Sequence, residues 1–238
     1  MNDPFALWVY LSSTPLLWLT VTLCVWVGAD WLALKSGRNP LVNPVLLSIL
    51  AVGAVLLASG TPYARYFEGA QFVHFLLGPA IVAIAVPLVT NRRIVMENLL
   101  PLLGALLAGS VTAIVSVVLL GRLFGLPPDV LLAMVPKSVT AGVAMGIAEQ
   151  IGGSPSLTAV LVVLTGVIGA VLVTPIMNAL KITDYAARGF SVGLASHGIG
   201  TARAFAVDPV AGTFAGIAMG LNAVLTSVLA PVLASWLV

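Results

Sequence analysis

The hydrophobic pattern of this chain is a series of long apolar runs with almost no charge inside them. A bilayer core about 30 Å thick needs about 20 apolar residues per helical crossing, and several runs reach that length. They predict transmembrane helices over residues 15–34, 41–58, 72–89, 99–120, 156–180 and 210–238. The pattern therefore predicts an all-α integral membrane protein, a polytopic helix bundle that forms a single transmembrane domain over residues 1–238.

Two further segments, residues 128–152 and 189–208, are apolar overall but are broken by glycine, hydroxyl and charged residues. We interpret both as interrupted or re-entrant helices. A weak internal repeat supports treating them as equivalents. Residues 138–177 and 196–232 share one order: a break rich in small residues, a turn, and an apolar span with a proline near its end. Two interrupted helices in corresponding positions are a sequence sign of a transporter binding site.

Basic residues in the short loops predict an orientation. The loops that begin at Lys35 and at Arg92 carry two basic residues each. Loops rich in lysine and arginine stay in the cytoplasm, so both loops should face it and the loop at residues 61–70 should lie outside. Lys181 and Arg188 would lie outside if both broken segments crossed once, and inside if the first segment is re-entrant.

The first broken segment contains a hydroxyl-rich string around a lysine: Pro136, Lys137, Ser138, Val139 and Thr140. A lysine at this depth costs about 2.5–3.5 kcal/mol on insertion scales and needs compensation. A proline in the first turn suits the N-terminus of a half-helix, whose free N–H groups and positive dipole end favour an anion. Lys137 would bind the same anion, while Ser138 and Thr140 would contact its oxygens. Alternatively, Lys137 reaches the lipid headgroups and binds no ligand.

The second broken segment has the order Ser196, His197, Gly198, Ile199, Gly200, Thr201, Ala202, Arg203. Glycines such as Gly200 allow close backbone approach, and Thr201 can cap a helix or contact a ligand. Arg203 could hold a carboxylate through two hydrogen bonds; alternatively it snorkels or pairs with Asp208. His197 could contact the ligand or relay a proton, or it could be bonded to backbone carbonyls.

Other polar positions inside the apolar runs are few. Asn43 precedes Pro44 at the start of the second span, where it could cap the helix or contribute to the site. Asn222, within the last span, is interpreted as an interhelical hydrogen bond rather than a ligand contact. Asp30 and Glu149 are the only carboxylates whose sequence positions are compatible with burial, so an ion site built on two carboxylates is not expected. Coupling to a proton or a sodium ion remains open.

Composition narrows the classes of function. The chain is 60% hydrophobic and 8% charged, and its net charge of +2 does not indicate a nucleic-acid partner. A single cysteine, Cys24, excludes an intrachain disulfide. Because metal-ligand spacings and glycine-rich phosphate loops are missing from the sequence, we predict no cofactor and no enzyme activity, with an intramembrane hydrolase as the alternative. The N-terminus lacks a basic n-region, so we expect the first span to be retained.

At the two broken segments the chain closely resembles the LrgB family of bacterial membrane proteins, whose relatives include the chloroplast glycolate/glycerate translocator. The resemblance covers nearly the whole chain. The matching strings are residues 136–140, 151–153, 186–189, 195–197 and 200–203, together with Asn43–Pro44 and the stretch over residues 78–87. One departure is that Ala141–Gly142 stands where family members commonly carry a Thr-Pro pair.

The resemblance implies transport of small monocarboxylates such as glycolate, glycerate or pyruvate across the bacterial inner membrane. It also implies an alternative function of a different class, regulation: an antiholin-like factor influences murein hydrolase activity and lysis and acts beside a small LrgA-type membrane protein. The residues favour transport, because a regulator has no need of Lys137, His197 and Arg203 inside helix breaks. We expect the carboxylate to bind between the two interrupted helices, and the protein to be a homodimer in the lipid bilayer by analogy.

Overall fold

The computed structural model describes residues 14–39, 42–76, 79, 89–90, 92–97 and 99–238, and most of them are helical. The chain divides into two compact units, residues 1–83 and residues 84–238, which are described separately. The predicted span over residues 72–89, and with it the stretch over residues 78–87, lies largely outside the described residues.

The first unit contains helices α1 (Pro15–Lys35), α2 (Pro44–Ser59) and α3 (Tyr63–Phe75). The first predicted span is confirmed by α1, which is long and apolar enough to cross a membrane. The second is present as the 16-residue apolar helix α2. The loop predicted at residues 61–70 is wrong, because α3 forms there and packs on α1, with the Trp18 and Tyr66 rings edge to face at 6.1 Å. The charged residues of α3 suggested a loop. The packing of α3 on α1 could not be predicted, because it joins segments that are distant in sequence.

The second unit contains the helices α4 (Arg92–Glu97), α5 (Leu99–Leu123), α6 (Pro128–Met134), α7 (Ala141–Gln150), α8 (Pro155–Ala179), α9 (Tyr185–Val207) and α10 (Pro209–Leu237). Helices α5, α8 and α10 are long and apolar enough to cross a membrane, which confirms three predicted spans. Both α8 and α10 begin with a proline that follows a capping residue. Proline is favoured there because its missing N–H costs no intrahelical hydrogen bond.

The first broken segment doubles back on itself and forms hairpin 1, which consists of α6, residues 135–140 and α7. Just after α7, Gly153 lies against the backbone of Leu132 and Ala133 near the end of α6. The Thr158 hydroxyl, in the first turn of α8, lies 3.0 Å from the Ala133 carbonyl oxygen and 2.9 Å from that of Ser154, and it donates its one hydrogen between them. Pro128 at the start of α6 and Gln150 at the end of α7 line one cavity, so the chain leaves hairpin 1 on the side from which it entered, as the re-entrant alternative predicts.

The second broken segment is one helix, α9, with a reversal inside it. Ser196 (φ −130°, ψ 16°) and His197 (φ 41°, ψ −135°) depart from helical dihedral angles and divide α9 into two arms. The arms face each other, because a side chain added at Gly200 in the second arm would meet Val192 in the first. We call the two arms of α9 hairpin 2, and residues 196–197 its tip; residues 135–140 are the tip of hairpin 1.

The first arm of hairpin 2 runs parallel to α10. Gly189 lies against the Ala211 carbonyl, and four residues later Gly193 lies against the Ala215 carbonyl. Both numbers increase together, which is the register of two parallel helices. Glycines at these positions allow the two backbones to touch.

The second arm of hairpin 2 runs back in the opposite direction. The Thr201 hydroxyl lies 3.8 Å from the Met219 sulfur, near the middle of α10. Four residues later, Phe205 packs on Gly212, close to the start of α10. The residue number of the contact on α10 therefore decreases as the residue number in the arm increases, so the second arm and α10 are antiparallel.

The two hairpins enter from opposite ends of α10. Gln150 of hairpin 1 and Val238, the residue after α10, line a cavity of about 450 Å³. Ala187 of hairpin 2 and Val210, at the start of α10, line another of about 530 Å³. Each hairpin is followed by a long span, so the repeat predicted from the sequence is present in inverted topology, an arrangement known from secondary transporters.

The reversal in hairpin 1 also settles how the basic residues are distributed in the second unit. Helices α5 and α8 are two consecutive crossings, because hairpin 1 between them does not cross. Lys181 and Arg188 therefore lie at the same end as Arg92 and Arg93, and the basic-residue rule assigns this end to the cytoplasm. Hairpin 2 enters from that end, and hairpin 1 enters from the other.

Candidate functional site

The tip of hairpin 1 is a run of turns in a largely buried setting. Pro136, Ser138 and Val139 are buried, whereas the Lys137 side chain is half-buried, with its Nζ atom 3.5 Å from the Ser138 hydroxyl. The prediction that Pro136 starts the half-helix is wrong, because residues 135–139 form turns with i→i+3 backbone bonds and α7 begins later, at Ala141. Lys137 therefore stands before the helix N-terminus rather than in its first turn.

The N-terminus of α7 carries no side-chain cap. Thr140 is the N-cap residue, and its side chain accepts no hydrogen bond from the first turn. The first N–H groups of a helix have no intrahelical partner, and together they form the positive end of the helix dipole. Lys137 and this N-terminus occupy the same tip, as the sequence predicted.

The tip of hairpin 2 is tighter and consists of two buried residues, Ser196 and His197. The positive φ of His197 is a conformation that a residue with a side chain adopts only at a cost of about 1–3 kcal/mol, and such residues cluster at functional sites. The imidazole Nε2 lies 2.9 Å from the Val162 carbonyl in α8. Because a carbonyl only accepts, Nε2 carries the hydrogen. The carbonyl bond given above as the alternative for His197 is thus present, and ligand contact stays a prediction.

Two further predicted residues follow His197 in the second arm. The buried Thr201 hydroxyl donates to the His197 carbonyl at 2.8 Å and so stabilises the tip. Gly200 is buried where the two arms touch, and a Cβ atom there would come within 2.9 Å of the Val192 carbonyl oxygen. Both residues shape the reversal, and their contact with a ligand remains a prediction.

Arg203 lies farther from the tips than the other predicted residues. It is half-buried and stands six residues beyond His197, which is about 9 Å along a helix. There it lines a small cavity with Thr174, Tyr185 and Arg188, on the side from which hairpin 2 enters. The described positions put Lys137 and Arg203 at different depths. Binding of one carboxylate by both residues therefore stays a prediction.

The side chain that joins the two tips is Asn222, near the middle of α10. Its Nδ2 donates to the Leu194 carbonyl, just before the tip of hairpin 2, at 3.0 Å, and to the Ser138 carbonyl in the tip of hairpin 1 at 3.4 Å. Its Oδ1 accepts from the Ser110 hydroxyl of α5 at 2.7 Å and from Thr226 at 3.0 Å. The interhelical role predicted for Asn222 is confirmed, but its two partners at the tips were not foreseen.

The remaining predicted residues lie elsewhere. Asn43 is buried in the first unit, where its Oδ1 caps α2 by accepting from Val45 and Leu46; its role in a site stays a prediction. Neither of the two carboxylates with sequence positions compatible with burial is buried: Glu149 is exposed near the end of α7, and Asp30 is partly exposed, 3.5 Å from Arg38. Within the described ranges, no group of three or more His, Cys, Asp or Glu residues could hold a metal ion.

The arrangement of the tips suits a small anion. Two half-helices begin there, α7 and the second arm of hairpin 2, and each places the positive end of its dipole at the centre of the unit. Lys137 adds a full positive charge, and the Ser138 and Thr140 hydroxyls supply polar contacts of the kind that recognise carboxylate or hydroxyl oxygens.

Comparison with known proteins gives a consistent result. Residues 22–236 match the family described as the LrgB-like family. The chain is 33% identical over 233 residues to "Holin-like protein CidB" of Staphylococcus aureus, covering 98% of each protein. It is 34% identical over 196 residues to the protein of that name from Staphylococcus epidermidis, and 35% identical over 198 residues to "Uncharacterized protein YxaC" of Bacillus subtilis. These two alignments cover 82% and 83% of this chain and 86% of each relative. No solved structure matches.

Proposed function

Because the chain belongs to the LrgB-like family and is a multi-pass bacterial membrane protein, we propose that it is a secondary transporter of small monocarboxylates such as glycolate, glycerate or pyruvate. The observation that supports this most directly is the pair of hairpins that enter from opposite ends of α10 and meet at Asn222. Secondary transporters bind their substrates near the bilayer midplane, between discontinuous helices of inverted repeats.

The cost of the breaks supports a ligand at the tips. Non-helical backbone at membrane depth is tolerated only where it is buried in protein or lines a cavity, because unpaired backbone groups are expensive in hydrocarbon. A lysine at such a depth is costly as well, and ionisable residues inside membrane helices mark substrate pathways by default. A reversal of the chain with a purely structural role would need neither the charge of Lys137 nor the strained conformation of His197.

The carboxylate would bind to Lys137 and to the N–H groups at the start of α7, with Ser138 and Thr140 on its oxygens. His197, Gly200 and Thr201 would shape the opposite wall from hairpin 2. Arg203 would attract the anion from the cytoplasmic side. A proton or a sodium ion would be the coupling ion.

A second candidate function rests on the name of two relatives, "Holin-like protein CidB". In this account the chain is an antiholin-like regulator of murein hydrolase activity, which acts with a small LrgA-type membrane protein. Such a regulator would require a surface for its partner, and carboxylates would not exchange across the membrane through it.

Counterflow in proteoliposomes distinguishes the two functions. Vesicles preloaded with glycolate, glycerate, pyruvate or lactate are mixed with trace labelled substrate, and uptake is compared with that of protein-free vesicles. We expect saturable counterflow for at least one carboxylate. Lys137→Gln should lower the transport efficiency about 10- to 100-fold, since a hydrogen bond to a charged group contributes about 1.5–3 kcal/mol. Arg203→Gln should have a smaller effect.

Lys181→Gln is the matched control, because it removes the same charge from an exposed turn between α8 and α9. It should leave counterflow unchanged. Saturable exchange of none of the four carboxylates would exclude the transporter and favour the regulator. Transport that is equally fast in the Lys137 and Lys181 variants would leave the function intact but show that the site is elsewhere.

A further inference from the structure

Asn222 differs from an ordinary interhelical asparagine in the number of elements that it connects. It is almost fully buried, at 1% exposure, and its amide group makes four hydrogen bonds to other residues. The two carbonyls that accept from it, those of Ser138 and Leu194, belong to different hairpins, which enter from opposite ends of α10. An ordinary interhelical bond would join α10 to one neighbour.

The orientation of the amide is fixed by its surroundings. Backbone carbonyls can only accept, so the group facing Ser138 and Leu194 must be the NH₂. On the other side, the hydroxyls of Ser110 and Thr226 donate to Oδ1. An amide is the one uncharged side-chain group that offers two donors on one side and a carbonyl oxygen on the other, so asparagine suits this position and aspartate or serine would not.

The two carbonyls at the tips come from broken backbone. In an unbroken helix the Leu194 carbonyl would accept from residue 198, but the reversal at residues 196–197 interrupts that ladder. Ser138 lies within the run of turns between α6 and α7. Asn222 therefore supplies hydrogen bonds that each break has lost, and it supplies both from one atom.

We propose that Asn222 is a positioning residue that holds the tips of hairpin 1 and hairpin 2 at one fixed separation, so that the substrate meets both at once. This inference rests on the proposed transport function. Because the two hairpins enter from opposite ends, a tip that withdraws toward its own end loses its hydrogen bond to Nδ2. Asn222 thus acts as a latch between the two tips: opening the site from either end of the membrane breaks one of its two Nδ2 hydrogen bonds and leaves the other in place.

Thr226 provides a matched control on the same helix. Its hydroxyl donates to Asn222 Oδ1, one turn away, and it is buried to a similar extent, at 3% exposure. Thr226→Val removes a hydrogen bond of the same cluster but leaves both Nδ2 bonds to the tips in place. Asn222→Leu keeps the approximate volume and removes both, whereas Asn222→Asp keeps the acceptor for Ser110 and Thr226 and replaces the NH₂.

Two readouts test the proposal. The first is counterflow with whichever of glycolate, glycerate, pyruvate or lactate the wild type exchanges. We expect the KM of Asn222→Leu to rise about tenfold, with a smaller change in maximal rate, and the KM of Thr226→Val to stay within about threefold of wild type. The second is the distance between spin labels at Ala141→Cys and Ala195→Cys, next to the two tips, in a Cys24→Ser background. The distance distribution should broaden with Asn222→Leu and not with Thr226→Val.

The spin-label measurement does not depend on transport, so it tests the latch even if no carboxylate is exchanged and the proposed function fails. An unchanged distribution in Asn222→Leu would overturn the proposal, as would an equal rise in KM for the Asn222 and Thr226 variants. If Asn222→Leu does not fold, Asn222→Asp is measured in its place, with the same expectation and the same contradicting results.

Discussion

The two hairpins share a topology but are stabilised in different ways. Hairpin 2 is held by backbone contact, since Gly189 and Gly193 of its first arm lie directly against carbonyls of α10. Its reversal takes two residues, one of them in a strained conformation. Hairpin 1 has a tip of six residues, 135–140, and α7 packs through side chains such as Ile147.

The packing around hairpin 1 is an ordinary apolar cluster. Val135, Val139 and Ile147 lie together with residues of α5, α8 and α10, the set being Ile114, Val117, Val118, Val162 and Ala230. Side chains separate the backbones there, and side chains can adjust their rotamers when a neighbour changes, at a cost in packing. Where backbones touch, as at Gly193, no side chain is available to move. Hairpin 2 thus packs on α10 backbone to backbone, whereas hairpin 1 is held in the unit through side chains.

The largest effect is expected from an alanine at the tight contact. Gly193→Ala would place a methyl group onto the Ala215 carbonyl, which belongs to helix backbone, and no side-chain torsion can move a Cβ atom away from it. We expect destabilisation by at least about 1–3 kcal/mol, the usual cost of overpacking. The measurement is the free energy of unfolding of the purified protein in lipid–detergent micelles.

Gly146→Ala is the matched control in hairpin 1. A Cβ atom at Gly146, inside α7, would meet no other atom within 4 Å. Replacing a mid-helix glycine by alanine there should stabilise by up to about 1 kcal/mol. Equal losses of stability in the two variants would show that hairpin 2 is not packed more tightly than hairpin 1.

A smaller effect is expected where a hydroxyl holds hairpin 1. Thr158→Val removes the hydroxyl hydrogen that the Ala133 and Ser154 carbonyls share and keeps the shape of the side chain. We expect a loss of about 1 kcal/mol in the free energy of unfolding, the usual value for one hydrogen bond. Ser191→Ala in hairpin 2 removes only a bond within its own exposed helix surface, to the Ala187 carbonyl, and should change stability little. A cost for Ser191→Ala as large as that for Thr158→Val would contradict this assignment.

Much of the fold follows from the apolar pattern and its boundaries. The spans α1, α5, α8 and α10 were predicted because length and hydropathy alone define a membrane crossing. The breaks were predicted because glycine, hydroxyl and charged residues are costly in a span. For the second broken segment the sequence left an interrupted and a re-entrant helix as alternatives, because the reversal depends on two residues, Ser196 and His197, and on contacts of the arms with α10.

The candidate site was predicted in part. Lys137, Ser138 and His197 do lie at the tips, since each stands beside the break that the sequence indicates. Arg203 is farther away because a helix places a residue six positions on at about 9 Å. The partners of Asn222 could not be predicted, because Leu194 and Ser138 are brought to it by the reversal of two separate segments.

The most direct test of the account is the side of the membrane on which each hairpin enters. Single cysteines at Gln150, near the end of hairpin 1, and at Ala187, near the start of hairpin 2, are exposed positions that can be labelled in a Cys24→Ser background. A membrane-impermeant maleimide is applied to bacterial cells before and after permeabilisation. We expect Gln150→Cys to react in intact cells and Ala187→Cys to react only after permeabilisation. Labelling of both positions from the same side would contradict this expectation.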